Sequence, residues 1–166
     1  QVFMGPKRHL VAYPLKDGSL VNLVAAQERR QWAEESWSHG DDPENLRRAF
    51  AMFGGLAAEM LADVRDVKLW GLFRHPVAQV WGRDGVALLG DAAHPTLPFM
   101  AQGANMALED AYALADCLSA ADDLEAGLAA YQTRRQSRAA KVVEAANGNA
   151  WKYHLRAPLS WPAHQI

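Results

Sequence analysis

Residues 86–110 read VALLGDAAHPTLPFMAQGANMALED, and the order of residue types in this stretch decides the fold. The apolar run from Val86 to Leu89 suits a short buried strand. Gly90-Asp91 ends it, a loop holding Pro95 and Pro98 follows, and a helix opens at Gln102-Gly103-Ala104-Asn105. In open α/β sheets ligands sit beyond the carboxyl ends of strands, which puts Gly90-Asp91 at a binding edge. Gly90 lets a ligand approach the backbone closely. Asp91 is an acceptor-only carboxylate, suited to a sugar-like hydroxyl. The first amides of a helix have no intrahelical partners, and the macrodipole adds partial positive charge there. Gly103 and Ala104 keep that end clear, so a planar anionic group fits against it. Taken singly, each feature is also ordinary turn chemistry.

Outward from this stretch, RHLVAYPL (residues 8–15) and LVNLVAA (residues 20–26) are β-rich runs joined by Lys16-Asp17-Gly18-Ser19, a hairpin signal. Residues 32–40 form a polar, Trp-punctuated connection. Asp42-Pro43-Glu44 predicts a helix start, with Asp as N-cap and Pro at the first helical position. Leu46, Ala49, Phe50 and Phe53 follow at helical spacing, and residues 56–62 suggest another short helix. Residues 66–73 (DVKLWGLF) predict a strand returning toward the first hairpin, and Trp81 to Gly85 a turn. The helix from Gln102 to Leu118 reads as buried on most of its surface, interrupted by Glu109, Asp110, Tyr112 and Asp116. A final long helix runs from near Asp123 toward Ala150. Its Arg134, Arg135 and Arg138 read most simply as a solvated face, and the tryptophans as core or hinge packing.

The 166 residues, half of them apolar, suffice for one compact core with a piece of another attached. A formal net charge of -2 leaves no electrostatic footprint for nucleic acid or an anionic membrane. No apolar run approaches a membrane span and no signal-peptide pattern is present. A single cysteine, Cys117, excludes an internal disulfide framework and fits a reducing cytoplasm. The six histidines lack metal-ligand spacing, so no metal site is expected. The chain opens Gln1-Val2-Phe3-Met4 and reads as cut from something longer.

GDAAHPTLPFMAQGANMALEDA, from Gly90 to Ala111, resembles the second flavin-binding motif of class A FAD-dependent aromatic monooxygenases, in particular the salicylate hydroxylase-like branch. RHLVAYPL, LVNLVA, Trp81-Gly82-Arg83 and Tyr131-Gln132-Thr133-Arg134-Arg135 agree with it, so the resemblance covers nearly the whole chain. It implies a cofactor-binding set of Gly90, Asp91, Pro98, Gln102, Gly103, Ala104 and Asn105. Asp91 would hold the ribityl chain, Gly103 to Asn105 would meet the pyrimidine edge of the isoalloxazine, and Pro98 would lie near flavin C4a. For His94 a loop-ordering hydrogen bond is preferred over direct catalysis.

The family also carries a G-x-G-x-x-G fingerprint for the FAD pyrophosphate. No two of the 12 glycines here are separated by a single residue, so that fingerprint is absent from the sequence. The expectation is therefore an α+β fragment: a partial substrate-domain sheet, antiparallel or mixed, with packed helices and a long C-terminal helix, and no Rossmann dinucleotide-binding unit. Residues 1–85 would belong to a substrate-binding domain, 86–120 to the late flavin-binding segment, and 121–166 to a C-terminal helical segment. FAD would be held tightly only with the missing N-terminal Rossmann portion, and NAD(P)H would act as co-substrate.

Residues two apart on a strand share a face, so His9, Val11 and Tyr13 point one way. The branch resembled places a phenol base or hydrogen-bonding group on such a strand. His9 suits a base, its ordinary pKa lying near neutrality, and Tyr13 the substrate's polar group. The bland alternative is a half-exposed His and a Tyr packed on the sheet. Phe99 and Met100 line a ring pocket or anchor the loop, two readings the sequence does not separate. Asn22 makes a hairpin hydrogen bond or a substrate contact. The leading function is FAD- and NAD(P)H-dependent hydroxylation of a small aromatic acid by the parent protein in the cytoplasm, with no nucleic-acid or membrane partner. The alternatives are another FAD-dependent oxidation, such as epoxidation, and a non-enzymatic binding module derived from the same scaffold.

Overall fold

The computed structural model describes residues 1–30, 36 and 38–155. The chain divides into two compact units, one of Gln1–Gly71 with the residues from Trp151 onward, the other Leu72–Ala150. Together they make a mixed α/β architecture with small antiparallel sheets and a long C-terminal helix.

In the first unit β1 (Val2–Gly5), β2 (Arg8–Leu15) and β3 (Leu20–Gln27) form an antiparallel meander in the order β1-β2-β3. The β2–β3 hairpin turns where the sequence predicts, with Lys16, Asp17 and Gly18 all at positive φ. Gly18, at φ +89, is the residue that adopts this without a Cβ penalty. Leu10 and Ala12 turn into a core, where Leu10 joins Phe50, Ala57 and Leu61. After β4 (Gly40–Asp41), α1 (Pro43–Ala49) starts as expected: the Asp42 carboxylate accepts from the Glu44 amide at 2.9 Å. α2 (Leu56–Ala62) follows. Arg47 on α1 donates to the carbonyls of Leu61 at 3.2 Å and Val64 at 2.7 Å, satisfying acceptors that the end of α2 leaves open.

The strand predicted over residues 66–73 shrinks to β5 (Val67–Lys68), and its partner is β4, not the first hairpin. Among the described residues, residues 39–41 supply its backbone ladder, so it ends with them. Of the tryptophans, Trp81 is wholly buried, Trp70 and Trp151 are exposed, and Trp32, Trp37 and Trp161 lie outside the described residues.

The second unit contains β6 (Gly82–Arg83) and β7 (Val86–Ala87), a two-stranded ribbon closed by Asp84 and Gly85 at φ 52 and 76. The expected buried strand over residues 86–89 is thus cut short, and Val86 is 64% exposed. A two-stranded ribbon has a neighbour on one side only, so an apolar run on it keeps much of its surface in water.

α3 (Gly103–Ala120) packs with α4 (Leu124–Tyr153). The expectation that α3 is mostly buried is corrected: only Met106, Asp110 and Ala113 are buried, while Leu108 and Tyr112 are about 70% exposed. The spacing of the buried three is a single stripe, because α4 covers one face. Trp81, Ala93, Ala113, Tyr131 and Ala139 form the core. The irregular segment before β6 finds its backbone partners on α4: Gln132 Oε1 accepts from the Trp81 amide at 2.8 Å, and Gln136 Nε2 donates to the Ala78 carbonyl at 3.0 Å. Among the described residues, no helix is long and apolar enough to cross a membrane.

Candidate flavin site

A short 3-10 turn, Gly90–Ala92, carries the Gly-Asp pair. Gly90 sits at φ +56, and a Cβ there would come within 3.0 Å of the Ala107 Cβ, so only glycine fits both the conformation and the approach to α3. Its carbonyl accepts from the amides of Ala93 at 3.0 Å and His94 at 2.9 Å. Asp91, exposed, projects from this turn.

The helix start lies beside it: a Cβ placed on Gly103 would be 3.8 Å from Asp91 Oδ1. The carboxylate and the first turn of α3 thus stand side by side as two walls of a cradle, with no side chain on Gly103 between them. The cap residue Gln102 makes no side-chain cap bond, and the helical ladder begins with the Met106 amide donating to the Gln102 carbonyl at 2.9 Å. Ala104 and Asn105 are exposed and Gly103 half-buried. A carboxylate acceptor beside outward-facing amides matches a polyol continuing into a planar group with an electron-rich carbonyl edge. These residues fit the ribityl chain and isoalloxazine of FAD.

Between them runs the proline loop. Pro98 opens a second 3-10 turn, Pro98–Met100, which ends on Ala101 in the left-handed region at φ 51. Pro98 is exposed, Phe99 buried and Met100 half-buried. Phe99 thus anchors the loop. Two open grooves of this unit, of about 500 and 320 Å³, are lined instead by the exposed side of α3 and α4 and by the β6–β7 ribbon.

The largest omission of the sequence reading lies beneath the turn. Asp110, read as an interruption of an apolar helix, is wholly buried and accepts three hydrogen bonds. They come from the Gly90 amide at 3.0 Å, His94 Nε2 at 2.5 Å and Arg135 Nε at 2.7 Å. Burial alone would raise its pKa, but the bonds from Arg135, Gly90 and His94 outweigh it and hold the carboxyl below its ordinary range. Arg135 corrects the expectation of a solvated face: it is 6% exposed and also pairs with Glu109 at 2.7 Å. Arg138 grips Glu109 through two nitrogens, and that hydrogen bonding, followed by Arg135, draws Glu109 down to about 2. Arg134, paired with Asp116, and Arg138 keep the predicted exposure. The signal available in the sequence was Glu109-Asp110 on an otherwise apolar helix together with Arg135 and Arg138, three apart on the next.

In the first unit His9, on β2, is 2% exposed, not half-exposed. Its Nδ1 lies 2.8 Å from His154 Nε2, and His154 Nδ1 lies 3.0 Å from Glu28 Oε1. Glu28 only accepts, so His154 donates to it from Nδ1. Burial, and next the adjacent His154, pull the His9 pKa from 6.5 to about 4. Val11 is half-buried on the same strand. Tyr13 is exposed, and its hydroxyl accepts from Asn22 Nδ2 at 2.6 Å across the β2–β3 pair. For Asn22 the hairpin bond is the arrangement present.

The profile of a family described as FAD binding domain matches residues 12–146. The chain belongs to that family, and the resemblance read from residues 90–111 is borne out. It is 35% identical over 154 residues to the 3-amino-4-hydroxybenzoate 2-monooxygenase of Streptomyces platensis, covering 92% of this chain and 39% of that protein. It is 36% identical to the 3-hydroxybenzoate 6-hydroxylase of Klebsiella oxytoca, covering 92% and 38%. Among solved structures, a salicylate hydroxylase substrate complex superposes with a TM-score of 0.80 at 30% identity, covering 95% of this chain and 41% of that one. The chain therefore spans about two fifths of the length of the relatives it matches.

Proposed function

We propose that this chain is part of an FAD-dependent monooxygenase that hydroxylates a small aromatic acid of the salicylate or hydroxybenzoate type. The observation that carries the reading is the Asp91 carboxylate at the open start of α3, 3.8 Å from where a Gly103 Cβ would stand. The names of the two relatives above, a 3-amino-4-hydroxybenzoate monooxygenase and a 3-hydroxybenzoate hydroxylase, support the substrate class.

In this reading Gly90, Asp91, Pro98, Gln102, Gly103, Ala104 and Asn105 meet the flavin. Asp91 accepts from a ribityl hydroxyl. The amides of Gly103 to Asn105 face the pyrimidine edge and favour negative charge there. FAD, reduced by NAD(P)H, supplies an activated oxygen atom from O2. Residues 1–85 contribute to the substrate domain, 86–120 form the late flavin segment and 121–166 the helical end. The adenosine half of FAD is held by a Rossmann portion outside this chain.

On the substrate side, Val11 and Tyr13 contact the aromatic acid, and His9 accepts its phenolic proton. Deprotonation enriches the ring for electrophilic attack. A histidine drawn down to about 4 does not store that proton. The line from His9 through His154 to exposed Glu28 gives it an exit.

The test is expression of the full-length reading frame that contains this chain, with purification and substrate profiling. Bound FAD and NAD(P)H consumption stimulated by hydroxybenzoates, with hydroxylated product, are expected. A flavin-free protein indifferent to these acids would overturn the reading.

A further inference from the structure

Asp91 owes its position to groups that lie behind it. The turn that carries it is bracketed by one buried carboxylate, since Asp110 Oδ2 accepts from the Gly90 amide on one side and from His94 Nε2 on the other. Asp110 is itself held from α4 by Arg135 Nε on its other oxygen. His94 is 1% exposed, lies with its ring centroid 5.2 Å from that of Trp81, and its Nδ1 is buried without a hydrogen-bond partner. With an acceptor-only carboxylate at Nε2, that nitrogen carries a proton and donates it to Asp110. The imidazole is thus oriented by hydrogen bonding from one side only. Gly90, at φ +56, is in a region that glycine enters and leaves at little cost, so the bonds from Asp110 add to the turn's own closure through the Gly90 carbonyl.

We propose that His94 and Asp110 are positioning residues for the flavin: a buried His–Asp–Arg clamp that fixes residues 90–94 so that Asp91 faces the start of α3. The clamp touches neither FAD nor substrate. It sets cofactor affinity through the turn, by confining the carboxylate before the cofactor arrives. This inference rests on Asp91 receiving a ribityl hydroxyl.

The experiment uses the full-length parent protein stripped of FAD, with FAD itself as the probe and flavin fluorescence quenching as the affinity readout. His94→Leu removes the donor to Asp110, whereas His94→Gln keeps an N–H at similar reach. Leu should weaken FAD binding about tenfold, the scale of one hydrogen bond to a charged group, and Gln should restore most of it. Melting of the stripped protein separates a structural role. If His94→Leu melts lower yet binds FAD as tightly as the wild type, the clamp is structural only and the proposal fails. A measurement without any variant guards against misfolding. Hydrogen exchange at the Gly90 amide and the His94 imidazole should slow about tenfold when FAD binds. Unchanged exchange at both would overturn the clamp. A wild-type parent that binds no FAD would overturn the proposed function instead.

Discussion

Arg135 on α4 donates from Nε to Asp110 on α3 at 2.7 Å, joining the two helices through side chains buried to 6% and 0% exposure. Removing one member of a buried pair leaves the other charge without compensation, and such losses run to about 3–5 kcal/mol. Arg135→Ala should therefore lower the unfolding free energy of this chain by about that much in urea denaturation. Arg135→Lys should recover only part, since a point charge cannot reproduce the fork reaching both Asp110 and Glu109. A loss under about 1 kcal/mol for the alanine variant would show that the pair is replaceable.

His9 predicts a pH dependence. Its folded pKa of about 4 lies below the unfolded 6.5, so between those values the unfolded chain binds more protons. Stability from this group is complete above pH 6.5 and is lost as pH falls toward 4, by on the order of 3 kcal/mol. Asp110, also lowered, adds a loss only at more acid pH, below its ordinary carboxylate range. Urea titrations at pH 7, 6 and 5 should show the first decline, and His9→Gln should flatten it. An unchanged slope in that variant would assign the decline to another group.

Two glycines should respond in opposite directions to alanine. At Gly90 a Cβ meets Ala107 at 3.0 Å on a backbone at φ +56, so strain and overpacking add to about 2 kcal/mol or more of destabilisation. Gly148, in α4, has nothing within 4 Å of its Cβ position, and alanine there should stabilise by about 0.5–1 kcal/mol. Melting temperatures of the two variants suffice. Equal shifts of the same sign would contradict the local geometry.

The cofactor cradle separates binding from folding. Asp91 is exposed, so Asp91→Asn should leave the melting temperature of the stripped parent within about 2 °C while weakening FAD at least tenfold. Gly103→Leu should fill the cradle and do the same. Retained FAD affinity in both variants would remove the site from residues 91–105.

Short-range chemistry was legible in the sequence. The Asp-Gly hairpin of β2–β3, the Asp42-Pro43 start of α1, the limits of α2, and a helix opening at Gly103 after a Gly-Asp turn all depend on residues a few positions apart. The family resemblance was legible for the same reason, since its motif is contiguous. What only the tertiary structure decided involves partners far apart in the chain. Residues 86–89 have the composition of a buried strand, but a strand is buried by its neighbours, and here it has one. Asp110 and Arg135 are polar letters on helices, indistinguishable by pattern from solvated ones. Their meaning came from the packing of α3 on α4, which places a carboxylate and a guanidinium 25 residues apart in one desolvated space where each requires the other.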